Sequence, residues 1–302
     1  MILATTTEDF SRYTDSHEER ILHLYEAGFR YVDLSLYHPA VGDPLFGDDF
    51  RAAAESLLDY AEGLGMRFVQ CHAPAVNCLR SEEDFERGLK LVSRAIEICG
   101  ILGIPTAVTH VGYNKALDED GWREGNLRFY RALMPIAEKN GVRLLAENSS
   151  HINLAGYYLY SGKACREFFD EMNHPSFGIC WDTGHANMEG TQYDEILALG
   201  DALGAIHFND NRGDRDEHLI PLMGNMSIDE VIHALIDVGF KGPFTFESTL
   251  SFRPPKCYQG DRRPYPADTR MDAPTLAMQK ALERVLFVTG TELLSAYDLA
   301  ES

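Results

Sequence analysis

Six side chains able to ligate a cation or bind a sugar stand at the ends of short apolar runs: His72, His110, Glu147, Asp182, His207 and Glu247. The sharpest case is residues 177–188, FGICWDTGHANM, where an uncharged run stops at Asp182 and a Thr–Gly turn leads to His185. An acid and an imidazole three residues apart at a strand end make a poor core. They suit a divalent cation or a polyhydroxylated substrate. Taken alone, the motif is also compatible with Asp182 capping the next segment and His185 lying on the surface. Glu147, Asp182, His207 and Glu247 together offer three carboxylates and one imidazole, a mostly oxygen sphere suited to one Mn²⁺, Zn²⁺, Co²⁺ or Mg²⁺. An ion bridging a carbonyl and its neighbouring hydroxyl acidifies the C–H between them, and a carboxylate beside that carbon can take the proton.

Repeating elements must bring these residues together. Apolar runs predict strands at 1–6, 29–36, 66–71, 104–109, 142–146, 177–181, 205–208 and 244–246. Helical spacing predicts helices over 16–27, 48–64, 85–102, 121–140, 162–172, 193–199, 228–238 and 274–289. Strand–helix repeats about 30 residues apart read as βαβ units closing into a (β/α)₈ TIM barrel, whose C-terminal strand ends share one face. A doubly wound sheet would want a GxGxxG turn after an early strand, and the sequence has none. Nothing resembling a linker divides residues 1–302, so one domain is expected, with a long loop before the last helix. That loop, 249–272, carries Arg253, Lys256, Arg262, Arg263 and Arg270, and reads as a lid suited to an anionic group.

Composition narrows the partners. A net charge of −20, from 47 acidic and 27 basic residues, disfavours a nucleic-acid backbone or an anionic membrane. The six cysteines form no CxxC pair, and the N-terminus shows no signal peptide, so a reducing cytoplasm is the expected location. A small sugar or polyol is the expected partner, and a homo-oligomer is compatible with the chain.

The motifs QCHAP (70–74), THVG (109–112), LAEN (145–148), WDTGH (181–185), IHFNDN (206–211), DEH (216–218) and TFES (245–248) resemble the sugar isomerase/epimerase superfamily with the xylose-isomerase-like barrel. Its relatives include ketose 3-epimerases, hydroxypyruvate isomerases, inosose dehydratases and abasic-site endonucleases. The resemblance implies a metal-dependent sugar or sugar phosphate isomerase or epimerase, moving a proton next to a carbonyl through a metal-bound enediolate. Glu147, Asp182, His207 and Glu247 would hold the metal, and Glu147 and Glu247 would double as acid and base. His185 would contact substrate oxygen, with His72 and His110 beside it. The epimerases' arginine, a few residues after the metal histidine, falls here on Gly213, so Arg212 and Arg215 stand as substrate-binding candidates.

An inosose-type dehydratase would use the same site. The endonuclease pattern, with three zinc ions, is also filled by type and order through His72, His110, His185, Asp216 and His218. The negative charge argues against it. A sugar-binding barrel without catalysis is the remaining class. Among other residues, His38 and His151 read as solvated loop or neighbouring groups, Asn148 as a support for a ligand, and Tyr157, Tyr158 and Tyr160 as sugar-stacking or packing residues. Asp118–Asp120 read as a helix start.

Overall fold

Eight parallel strands pair in chain order and the last returns to the first, closing a barrel. They are β1 (Leu3–Thr6), β2 (Tyr31–Ser35), β3 (Arg67–His72), β4 (Thr106–His110), β5 (Arg143–Glu147), β6 (Phe177–Asp182), β7 (Leu203–Phe208) and β8 (Phe244–Phe246). This computed structural model describes residues 1–152, 154–248 and 274–300. The 249–272 lid reading lies outside the described residues.

Around the barrel run α1 (His17–Ala27), α2 (Phe50–Gly63), α3 (Glu82–Leu102), α4 (Glu119–Asn140), α5 (Gly162–Met172), α6 (Thr183–Asn187), α7 (Tyr193–Leu199), α8 (Ile228–Asp237) and α9 (Leu276–Ala296). Their ends follow from local chemistry. Ser16 Oγ accepts from the Glu19 amide at 3.2 Å to start α1, and Gly28, at φ 119°, stops it where an L side chain would be strained. Asp118 accepts from the Gly121 amide at 3.0 Å, so the acidic run does open a helix. The sequence reading stops α9 at 289, but the helix runs on to Ala296 because Leu294 is also buried. The five-residue α6 is too short to show a period and was not anticipated.

Strand alternation explains the interior. Side chains two apart on a strand share a face, so each strand-end residue has a partner one layer below. Beneath His110, Glu147, Asp182 and His207 lie Val108, Leu145, Cys180 and Ala205, a small apolar cluster separate from the main core between barrel and helices. The other strands put polar groups at that level: Asp33, Gln70 and Thr245, all fully buried. The five cysteines among the described residues are buried and free. No described helix is long and apolar enough to cross a membrane.

Candidate active site

At the C-terminal mouth, ligand atoms of Glu147, Asp182, His207 and Glu247 lie within 4.8 Å of one another. His207 Nδ1 is 2.9 Å from Glu147 Oε1 and 3.1 Å from Glu247 Oε2. Three further groups adjoin or overlap this one among the described residues: His72–His207–Glu247, His72–His110–Glu147 and His185–Asp216–His218. The structure therefore brings His72, His110, His185, Asp216 and His218 into the same centre. A cavity of about 290 Å³ opens onto Glu147, Glu247, His72, His110, His185 and His218.

The WDTGH segment works in two ways at once. Asp182 Oδ1 accepts from the His185 amide at 2.6 Å, capping α6, while its carboxylate stays in the cluster. His185 is only 4% exposed. A Cβ on Gly184 would come within 1.8 Å of Asn209 Oδ1, so a larger residue there would displace the Asn209 amide. That amide donates to Asp182 Oδ2 at 2.7 Å. Asn148 clamps the same strand end, accepting from the Asp182 amide at 2.6 Å and donating to its carbonyl at 3.1 Å.

Backbone carbonyls orient three of the histidines. A carbonyl can only accept, so Nδ1 of His72 donates to Ala73 O (3.0 Å), that of His185 to Asn148 O (3.0 Å) and that of His218 to Glu247 O (2.8 Å). Each Nε2 is left facing a carboxylate: Glu147 for His72 at 3.3 Å, Asp216 for His185 at 3.3 Å and for His218 at 2.9 Å. Orientation through the opposite ring nitrogen is the usual device for a metal-ligating histidine. Glu147 Oε2 is buried and makes no hydrogen bond, although His72 and His110 flank it at 3.3 and 3.4 Å. An orphaned buried carboxylate oxygen among oriented imidazoles fits a divalent cation well.

Electrostatics keep Glu147 and Glu247 charged, whereas burial raises Asp182 to about 6. Burial alone would raise Glu147 and Glu247, but His207 above all overrides it and holds Glu147 well below the usual carboxylate range and Glu247 at about 2. His110 is lowered to about 4 by burial, whereas His72, His185, His207 and His218 are raised against their burial by the charges around them. Tyr157 donates its hydroxyl to the Glu147 carbonyl at 2.7 Å, which makes it a buried brace for that strand end.

Some candidates lie apart from the cavity. Arg212 pairs with Glu217 at 2.5 Å and Arg215 with Asp214 at 3.6 Å, and neither lines the space over the cluster. His151 is exposed on Glu189, and Tyr158 and Tyr160 pack outside it. His38 is exposed yet borders the cavity. Sequence reasoning missed Tyr37, whose ring meets that of His72 edge-on at 4.8 Å, and Glu8, Asp9 and Arg12 from the turn after β1. It also missed Gln70, which alternation with His72 could have disclosed.

A family profile described as "Xylose isomerase-like TIM barrel" matches residues 21–262. The chain is 27% identical to the ketose 3-epimerase of Arthrobacter globiformis over 238 residues, 75% of each chain. It is 30% identical to the probable endonuclease 4 of Nitrosopumilus maritimus over 167 residues, 49% of this chain and 57% of that one. The match to an uncharacterized protein, y4fM of Sinorhizobium fredii, likewise spans only 56% of that relative's length. Among solved structures, the IOLI protein with a bound zinc atom superposes with a TM-score of 0.76 at 16% identity, over 98% of this chain and 99% of that one.

Proposed function

This chain belongs to the xylose isomerase-like TIM barrel family, and on that premise we propose that it is a divalent-metal-dependent sugar isomerase or epimerase. The observation that carries the reading is the convergence of Glu147, Asp182, His207 and Glu247 within 4.8 Å at the foot of an open cavity. These four residues would hold the ion. When bound, it would supply Lewis-acid polarisation of the substrate carbonyl. Glu147 and Glu247 reach the centre from β5 and from the end of β8, each with an oxygen within 3.1 Å of His207 Nδ1, so either carboxylate stands where it can take a proton from carbon. His185 and His72 present oriented Nε2 atoms beside them to position hydroxyl oxygens. The buried floor of Val108, Leu145, Cys180 and Ala205 excludes water from below.

Deuterium uptake from D₂O into a panel of ketoses and inososes tests this. Uptake at the carbon beside the carbonyl is expected, and its absence across the panel with metal bound would end the reading. Water elimination from an inosose in the same panel would instead identify a dehydratase.

A second reading rests on two of the additional ligand groups, His72–His110–Glu147 and His185–Asp216–His218. With an ion in each, the centre would suit hydrolysis of a phosphodiester, in line with the endonuclease 4 relatives. Nicking of a duplex carrying an abasic site by pure protein holding three ions per chain would favour it.

A further inference from the structure

A second cavity, of about 400 Å³, shares Tyr37, His110, His185 and Asp216 with the first and extends away from Glu247. The charges of the two spaces differ. Among the described residues, the first is bordered by Glu8, Asp9, Glu147, Asp216 and Glu247 against Arg12 alone. The second is bordered by Arg80 and Arg87, and its only carboxylate among the described residues is the shared Asp216. In a chain of charge −20, two arginines on the wall of a space beside the catalytic carboxylates call for a physical reason.

The loop that presents them is built rather than loose. Asn77 Oδ1 accepts from the Leu79 amide at 3.2 Å and the Tyr113 amide at 3.0 Å, and its Nδ2 donates to the Tyr113 carbonyl at 2.9 Å. Asn114 donates to the Leu79 carbonyl at 3.0 Å. These bonds pin residues 77–79 to the loop after β4, so the base of Arg80 is fixed at the cavity rim. Arg87 is braced by Asp84 at 2.8 Å, one turn into α3. Hydrogen bonds from Ser81 and Arg87, and after them the charge of Arg80, hold the Asp84 carboxyl below the usual range. Two guanidinium groups sharing one carboxylate on a fixed base have donors left over for a planar or tetrahedral oxyanion.

We propose that this second chamber receives the anionic end, phosphate or carboxylate, of a sugar whose carbonyl end lies at Glu147 and Glu247. The inference rests on the proton-transfer reading above and names its substrate class: acidic sugars in preference to neutral ones.

The test uses the metal-loaded full chain with three matched probes, D-fructose, D-fructose 6-phosphate and D-fructuronate. Calorimetric affinity and deuterium uptake are both read, for wild type and for the Arg80→Gln/Arg87→Gln double variant. Both arginines lie on the surface, so the variant should fold. At least one anionic probe is expected to bind about tenfold or more tighter than D-fructose, the worth of one or two charged hydrogen bonds. In the double variant that ratio should collapse toward one. The probe that shows the excess tells phosphate from carboxylate recognition. Equal binding of all three, or an excess that survives the double substitution, overturns the proposal. An arginine-dependent excess upholds the anion chamber even without deuterium uptake, and the isomerase reading then falls only if uptake is absent across the ketose and inosose panel as well.

Discussion

The Gln70 side-chain amide lies 2.8 Å from Nε2 of His207, with both residues wholly buried inside the barrel. The opposite nitrogen, Nδ1, faces Glu147 and Glu247. Gln70 is thus the group through which the barrel interior sets the orientation of the central imidazole. The atom of Gln70 in contact is its amide nitrogen, which donates to Nε2 and leaves the hydrogen on Nδ1. For Nδ1 to offer a lone pair to an ion, the amide must turn over so that its unpartnered Oε1 accepts from Nε2.

Replacing Gln70 with Leu removes that partner and keeps the bulk. Loss of such an outer contact costs about 10–100-fold in metal affinity. Competition with a chelator should show a drop of that size, while far-UV circular dichroism stays unchanged. Wild-type affinity in Gln70→Leu would remove the orienting role.

Glu147 and Glu247 are the two carboxylates placed to move a proton, and their amide variants separate binding from chemistry. Glu147→Gln and Glu247→Gln should each lower deuterium uptake by about 10²–10⁴-fold. Metal content of the same samples is the control. Full uptake with metal present would exclude the residue as a proton carrier.

How many ions the centre takes divides the two functional readings. In the sugar enzyme, one tight equivalent is expected, and His218→Ala should leave it in place, since His218 is outside the group of four. Elemental analysis showing three equivalents in the wild type, with loss of more than one in His218→Ala, would favour the hydrolytic centre.

Much of this centre was legible in the sequence because period-two alternation and closed parallel topology fix where a strand-end side chain goes. His72, His110, Glu147, Asp182, His207 and Glu247 converge for that reason. Positions governed by loop packing were not legible. Tyr37 reaches His72 across the turn after β2, and Asp9 comes from the turn after β1. The expected offset falls on Gly213, and the guanidinium of its neighbour Arg212 pairs with Glu217. Asp182 satisfied both readings of its motif, cap and cluster member, because one carboxylate has two oxygens to give.

A buried carboxyl pair should leave its mark on stability. Asp9 and Glu283, on α9, are buried close enough for each to shift the other, with Thr5 donating to Asp9 at 3.2 Å and one oxygen of each acid left without a hydrogen bond. Burial raises Asp9 to about 7 and Glu283 well above its ordinary value. A group whose folded value is raised holds its proton longer in the folded state. Its stabilisation is complete below the unfolded value and is lost as pH climbs through the folded one. Thermal stability should therefore fall between roughly pH 4 and 7, by on the order of 2–4 kcal/mol. Glu283→Gln should flatten that slope and raise the melting temperature at pH 8 relative to wild type. An identical slope in the variant would deny the pair its part.

Asp210 organises the loop that delivers Asp216 and His218. Its Oδ1 accepts from the amides of Asn211 (2.8 Å) and Met226 (3.0 Å), and its Oδ2 from those of Leu222 (3.1 Å) and Gly224 (2.8 Å). The loop needs such a clamp because His218, at φ 45°, and Leu222, at φ 79°, hold left-handed backbone that side-chain-bearing residues resist. Leu222 is also 73% exposed, so little packing restrains it. Asp210→Ala removes four acceptor contacts at once, at a cost of about 3 kcal/mol or more. Limited proteolysis should then cut near Leu222–Met223 well before the barrel unfolds. Resistance equal to wild type would mean that the loop is held by something other than this carboxylate.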